Sequence, residues 1–154
     1  MALVPLFMKL IDPTQTVVIV HGSQGRAATA DRELAWKLKR EVDRRTDGTT
    51  FRRAVVVGDD AYYAHDAFEP SPVIAIGGPG VNRASEEMTG HVPLVFSQED
   101  RVFVQARLED EDAQVILWGM DAASTAQAVD AFLFQGVLDK MLERLWRPGH
   151  QGEH

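Results

Sequence analysis

The side chains able to do chemistry fall into four short groups, each behind an apolar run. They are His21, Gly22, Ser23, Gln24, Gly25 and Arg26; Gly58, Asp59 and Asp60; Gly77, Gly78, Pro79, Gly80, Val81 and Asn82; and Gly119, Met120 and Asp121. Glycines let backbone approach a ligand closely, and small polar groups supply hydrogen bonds. Gly22, Arg26, Gly77, Gly78, Gly80, Asn82 and Asp121 form the candidate binding set, with a small anionic ligand such as a phosphate or nucleotide as the expected occupant. The case is topological. If the preceding strands run parallel, the four groups meet along the carboxyl edge of one sheet, where open α/β sheets bind ligands. Helix N-termini point to the same edge, and their free N–H groups favour anions. The same glycines also serve tight strand-to-helix turns with no ligand at all.

Residues 77–82 are the most distinctive string. They lack the Lys-Ser/Thr of a P-loop and the glycine spacing of the dinucleotide fingerprint. Asn82 is placed to cap the following helix or to touch a ligand. His21, Ser23, Asp59 and Asp60 are the candidate catalytic groups, although Ser23 lacks the Gly-x-Ser-x-Gly elbow. Asp59 and Asp60 are also the metal candidates. Paired acids at a strand end hold Mg2+ or act as general base in phosphoryl chemistry, and they equally serve as helix caps. They define an alternative reading, a metal-dependent phosphoester hydrolase or phosphotransferase. These motifs assign no cofactor and do not separate an enzyme from a binding module. Tyr62 and Tyr63 follow the acids and are expected in the pocket wall, whereas Trp118 is expected in the core.

The apolar run ending in His21, Gly22 and Ser23 is similar to the opening of sirohydrochlorin-type chelatases, a resemblance that implies a metal-binding histidine. It covers only a few residues, and no second histidine follows a strand, since His91 precedes one. Ser23, Gln24 and Gly25 resemble the flavodoxin phosphate loop but lack its threonine cluster.

The elements that must position these groups are legible as periodicities. Residues 16–20, 51–57, 73–76 and 113–118 are short β-branched or apolar runs without alternation, the pattern of strands buried on both faces. Ala30, Leu34, Leu38 and Val42 recur every four residues and predict a helix over 30–45, with Thr29 as N-cap and Asp47 and Gly48 at its end. Shorter helices are expected over 61–68 and 83–89. Runs 93–96 and 102–108 read as further strands. The acidic turn 109–112 joins the second of these to 113–118 as an antiparallel hairpin. A last helix is expected over 122–146, capped by Asp121 and apolar around most of its circumference. The expected fold is a layered, Rossmann-like α/β domain. Its central sheet is mostly parallel and flanked by helices, with one antiparallel hairpin toward the C-terminal half.

Composition bounds the rest. The 154 residues suit one domain, 1–146, with 1–12 as an apolar arm or edge strand and 147–154 as a disordered tail. There are no cysteines, which excludes thiol chemistry, disulfides and Cys-based metal sites, and fits a reducing, cytoplasmic setting. The net charge of -7 argues against a general nucleic-acid binder. The apolar start is too short to span a membrane, which takes about 20 residues. The cluster Lys37, Lys39, Arg40, Arg44, Arg45, Arg52 and Arg53 is read as a solvated helix face, or else as a local anion patch. The apolar last helix and the N-terminal arm support a second reading, a non-catalytic module that self-associates as a homodimer.

Overall fold

A computed structural model describes residues 11–46, 48, 52–68, 70–109 and 113–146. Six strands form one sheet: β1 (Thr16–His21), β2 (Arg53–Gly58), β3 (Val73–Ile76), β4 (Leu94–Gln98), β5 (Val102–Arg107) and β6 (Gln114–Gly119). Their spatial order is β2-β1-β3-β6-β5-β4. β1, β2, β3 and β6 are parallel, while β5 runs antiparallel to both β6 and β4. The expected hairpin is therefore the β5–β6 pair, and β4 extends it by a second antiparallel pairing.

The helices are α1 (Ala28–Asp43), α2 (Asp59–Ala64), α3 (Arg83–Met88), α4 (Ala122–Phe134) and α5 (Val137–Leu145), with a 3-10 turn at Asp66–Phe68. β1 shows why the first apolar run has no alternation. Val17 and Ile19 pack under α1, α4 and α5 with Leu38, Val42, Phe132 and Met141. Val18 and Val20 face the opposite layer with Tyr62, Phe68, Ala84 and Met88. All four β1 residues are 0% exposed, so both pleat faces demand apolar side chains. No helix of the described residues is long and apolar enough to cross a membrane.

Four expectations change. First, β2 is only half-buried apart from Ala54, because it is the sheet edge and has one strand neighbour. Second, α1 begins at Ala28, and Thr29 is an exposed residue inside its first turn. Gly25, at φ +96°, closes a turn in which Ala28 N–H donates to Gly25 O at 3.2 Å, and Ala27 is the N-cap without any side-chain bond. The helix also ends at Asp43, short of the expected stop. Third, the chain begins its next helix already at Asp59, and residues 66–68 form a 3-10 turn.

Fourth, the long C-terminal helix is two helices. Gly136 adopts the left-handed region at φ +76°, and Gly136 N–H donates to Leu133 O, which ends α4. The break turns the chain, so α5 buries Leu138, Met141, Leu142 and Leu145 on its own stripe. An apolar excess that reads as one doubly buried helix is thus two single-sided ones. The arm at residues 1–10, the turn at 110–112 and the tail from 147 lie outside the described residues.

The basic cluster behaves as a solvated face. Lys37 pairs with Asp130 of α4, Arg45 with Glu41 and with Asp139 of α5, and Lys39 with Asp43.

Replacing Gly136 forces a Cβ into the left-handed region. Gly136→Ala is expected to lower stability by about 1 kcal/mol in urea unfolding. An unchanged midpoint would show that the break does not depend on glycine.

Candidate functional site

The four polar groups do converge at the carboxyl ends of the parallel strands. β1 and β3 are neighbours whose following segments part: β1 leads to α1 over one face, β3 to α3 over the other. A crevice at such a divergence is where open α/β sheets place ligands.

Packing at the divergence is close. A Cβ on Gly22 would lie 2.1 Å from Val81 O, so only glycine lets the two loops touch. Asn82 is 1% exposed and spans the gap. Its Nδ2 donates to Val20 O at 3.0 Å and to Ile76 O at 2.8 Å, while its Oδ1 accepts from Ala84 N–H at 2.9 Å. Ser85 Oγ donates to Gly77 O at 2.6 Å. Asn82 therefore caps α3 and ties together the ends of two strands, with both amide protons and its oxygen engaged.

Asp59 does the same work for a third loop. Its Oδ1 accepts from Ser23 N–H at 3.0 Å and its Oδ2 from Arg83 N–H at 2.9 Å. Burial alone would raise its pKa. The N–H donors outweigh that and hold it below the usual carboxylate range. Asp60 N–H donates to Ser23 Oγ at 3.2 Å. His21 Nδ1 donates to Gly22 O at 2.9 Å, and its ring and Ser23 Oγ both lie against Gly58. So the candidate catalytic residues do assemble, but Asp59 bonds backbone and not His21. Among the described residues no cluster of three or more His, Asp or Glu is placed to hold a metal ion.

Two hollows flank the 79–81 loop. An open cleft of about 510 Å³ lies beside Gln24, Asp59, Asp60, Asn82, Arg83 and Glu86. A second cavity of about 300 Å³ lies between the β3 and β6 loops and the start of α1 and α4. Gly77, Gly78, Gly80, Trp118, Met120, Asp31 and Thr125 are in its lining. Trp118 is held there by stacking on Phe103 at 4.5 Å and by donating Nε1–H to Gln105 Oε1 at 2.8 Å. Its ring lies so near Gly78 that a Cβ there would sit 2.9 Å from it.

Of the sequence-predicted binding set, Gly77, Gly78, Gly80 and Asp121 line the second cavity, and Gly80 and Asn82 line the cleft. Gly22 is used for loop contact, and Arg26 is exposed on the turn before α1 and lines neither hollow. Asp121 caps α4 through Ser124 N–H at 2.8 Å and pairs with Arg101 at the rim. The tyrosines are not in the wall of either hollow. Tyr62 is core, and Tyr63 lies beneath Arg83, whose guanidinium carbon is 4.1 Å from the ring centre. Trp118, expected in the core, is instead half-buried and lines the cavity.

The residue missed from the sequence is Asp31. It is 2% exposed, its Oδ1 is buried without a hydrogen-bond partner, and its Oδ2 lies 2.7 Å from where a Cβ on Gly77 would stand. The signal was present but out of phase. The buried stripe of α1 is Asp31, Ala35, Leu38 and Val42, one position on from the Ala30 and Leu34 phase, so an acid stands on the apolar face. Gly77, at φ +105°, leaves room for that acid. Burial pushes the Asp31 carboxyl up from 3.8 to about 6.

No family model and no curated protein matches this chain.

The folded state holds the Asp31 proton more tightly than the unfolded state does. Stability therefore falls as pH rises from about 4 through about 6, and the ionised group is a standing cost above that window. Asp31→Asn is expected to stabilise the ligand-free protein by about 1–3 kcal/mol at pH 7.5, with no gain at pH 4. Urea unfolding at the two pH values checks it; an equal effect at both would show that Asp31 is not carried unpaired. Asn82→Ala strands two buried carbonyls and a helix N–H, and should cost about 3 kcal/mol in the same measurement. A loss below about 1 kcal/mol would mean that water replaces the amide.

Proposed function

We propose that the protein binds a small molecule in the cavity between the β3 and β6 loops, with an anionic group of the ligand, such as a nucleotide phosphate, at the start of α1. The supporting observation is the combination of a glycine-lined hollow and a helix whose start lies in its lining with no side-chain cap. A 16-residue helix carries a partial positive charge at its N-terminus, and here no side-chain hydrogen bond caps it, the acid of its first turn being the buried Asp31. Trp118 and Met120 add an apolar wall suited to the flat or aliphatic body of such a ligand. The phosphoester hydrolase reading draws no comparable support, because both oxygens of Asp59 are spent on backbone N–H groups.

A second reading, self-association, is favoured by one observation at the C-terminal helices. Phe134, at the end of α4, is 88% exposed. Phe134→Glu leaves a dimer-to-monomer change in sedimentation velocity if that face is an interface, and no change if it is not.

Binding is tested by thermal shift against inorganic phosphate, nucleotides, flavins, Mg2+, Mn2+ and Zn2+. A ligand at ~100 times its Kd adds about 2.7 kcal/mol, which should raise Tm by roughly 5–10 °C. Gly80→Phe is the control. Gly80 lines both hollows and a Cβ there meets nothing within 4 Å, so a large side chain can be placed at this edge without a backbone clash at its root. The expected result is a shift in the wild type that the variant loses. A flat panel overturns the reading.

A further inference from the structure

We infer that the ligand of this cavity presents a nitrogen N–H donor to Asp31, either an ammonium group or the N–H edge of a nucleobase. This rests on the small-molecule reading above and specifies which small molecules qualify.

A buried carboxylate without partners is expensive, and proteins keep such groups hydrogen-bonded or paired. Asp31 is the one buried acid among the described residues, and its Oδ1 has no hydrogen-bond partner. Asp59, by contrast, has each oxygen matched to an N–H group. The residues packed against Asp31 supply it with nothing. Gly77, the neighbour of its Oδ2, does not donate to it, because the Gly77 N–H already donates to Leu117 O at 2.9 Å. Thr125, also in the cavity lining, accepts from Gly119 N–H at 3.1 Å and makes no hydrogen bond to Asp31 Oδ1. Trp118 has spent its single N–H on Gln105. Besides Asp31, the one ionisable group lining the cavity is Asp121, which pairs with Arg101 and caps α4. Arg32 and Glu33, its neighbours on α1, are exposed on the other side of that helix from the buried stripe.

Asp31 is thus a buried acceptor in the lining of a hollow, and its Oδ1 receives no hydrogen bond from the protein. A ligand that brings the donor completes the pair, and one that brings only negative charge must first find Asp31 protonated. The two cases have opposite proton linkage. Nitrogen donors bind the ionised form and bind better at high pH, whereas bare anions bind the neutral form and take up a proton.

The experiment titrates wild type, Asp31→Asn and Gly80→Phe by calorimetry at pH 5 and pH 7.5. Probes with nitrogen are adenosine and guanosine monophosphates and phosphoethanolamine. Ribose 5-phosphate and glycerol 3-phosphate carry the same titrating phosphate without it. At pH 5 about one Asp31 in ten is ionised, so a nitrogen probe should bind about tenfold more weakly than at pH 7.5, beyond any change in the controls. Asp31→Asn should weaken that probe about tenfold at pH 7.5 and remove the excess pH dependence. A nucleotide response identifies a base edge, a phosphoethanolamine response an ammonium. In the wild type, carboxyl carbon NMR should show the Asp31 pKa falling on binding. If probes bind in a Gly80→Phe-sensitive way but Asp31→Asn is neutral or tightens binding, or the Asp31 pKa rises, the inference is overturned and the small-molecule reading stands. If no probe binds the wild type, both fall.

Discussion

Where β1 and β3 end, the chain has to part company with itself, and the side chain of Asn82 makes that possible. Two parallel neighbours stop pairing at the same level, which strands the carbonyls of Val20 and Ile76 inside the protein. An unpaired buried carbonyl costs free energy comparable to a lost hydrogen bond. Asn82 answers both with one amide and uses its oxygen to start α3. Gly22 is then obliged to be glycine, since the loop carrying Asn82 lies against it. Asp59 adds the third loop through Ser23 and Arg83 N–H. The edge is therefore a rigid, hydrogen-bonded frame, and the cavity beside it owes its shape to that frame.

Asp31 stands apart from this economy. Everything else polar and buried at the edge has found a partner, while its Oδ1 has none. Proteins that put function in a site accept local instability there, and an unpaired ionisable group in a hollow is one form of it. The cost is bounded, since the carboxyl titrates near pH 6 and sheds its charge below that. Gly77 is the structural counterpart. Its left-handed backbone and missing side chain open the space that the carboxylate occupies.

The two apolar layers show a different economy. The face under α1, α4 and α5 is the larger cluster, and the face under α2 and α3 the smaller. α2 and α3 are six residues each, so the second face relies on Phe68 and Val92 from irregular segments to complete its cover. The larger face is closed by the bend at Gly136, which lets α5 return to the sheet instead of running past it. Lys37 and Arg45 reach from α1 to Asp130 and Asp139, tying the same three helices along their solvent side. Such exposed pairs contribute little stability.

The sequence by itself determined that strands alternate with helices, that the central strands are buried on both faces, and that residues 102–118 form a hairpin. Each is a local matter of periodicity, apolar run length or turn chemistry. It also located the four loops correctly as a group, because a polar, glycine-bearing break after each buried run is visible without any contact. Only the tertiary structure decided what each loop residue does. Asn82 and Asp59 became ties because their partners are 62, 36 and 24 residues away, at Val20, Ser23 and Arg83. Asp31 became the cavity's open acceptor because the buried stripe of α1 keeps Leu38 and Val42 but runs through Asp31 and Ala35 in its first turns, a face set by packing on the sheet. Gly136 split a helix that apolar content alone would have continued. Periodicity records which side of an element is covered. What covers it, and which polar atoms are left without a partner, depends on residues brought together from distant parts of the chain.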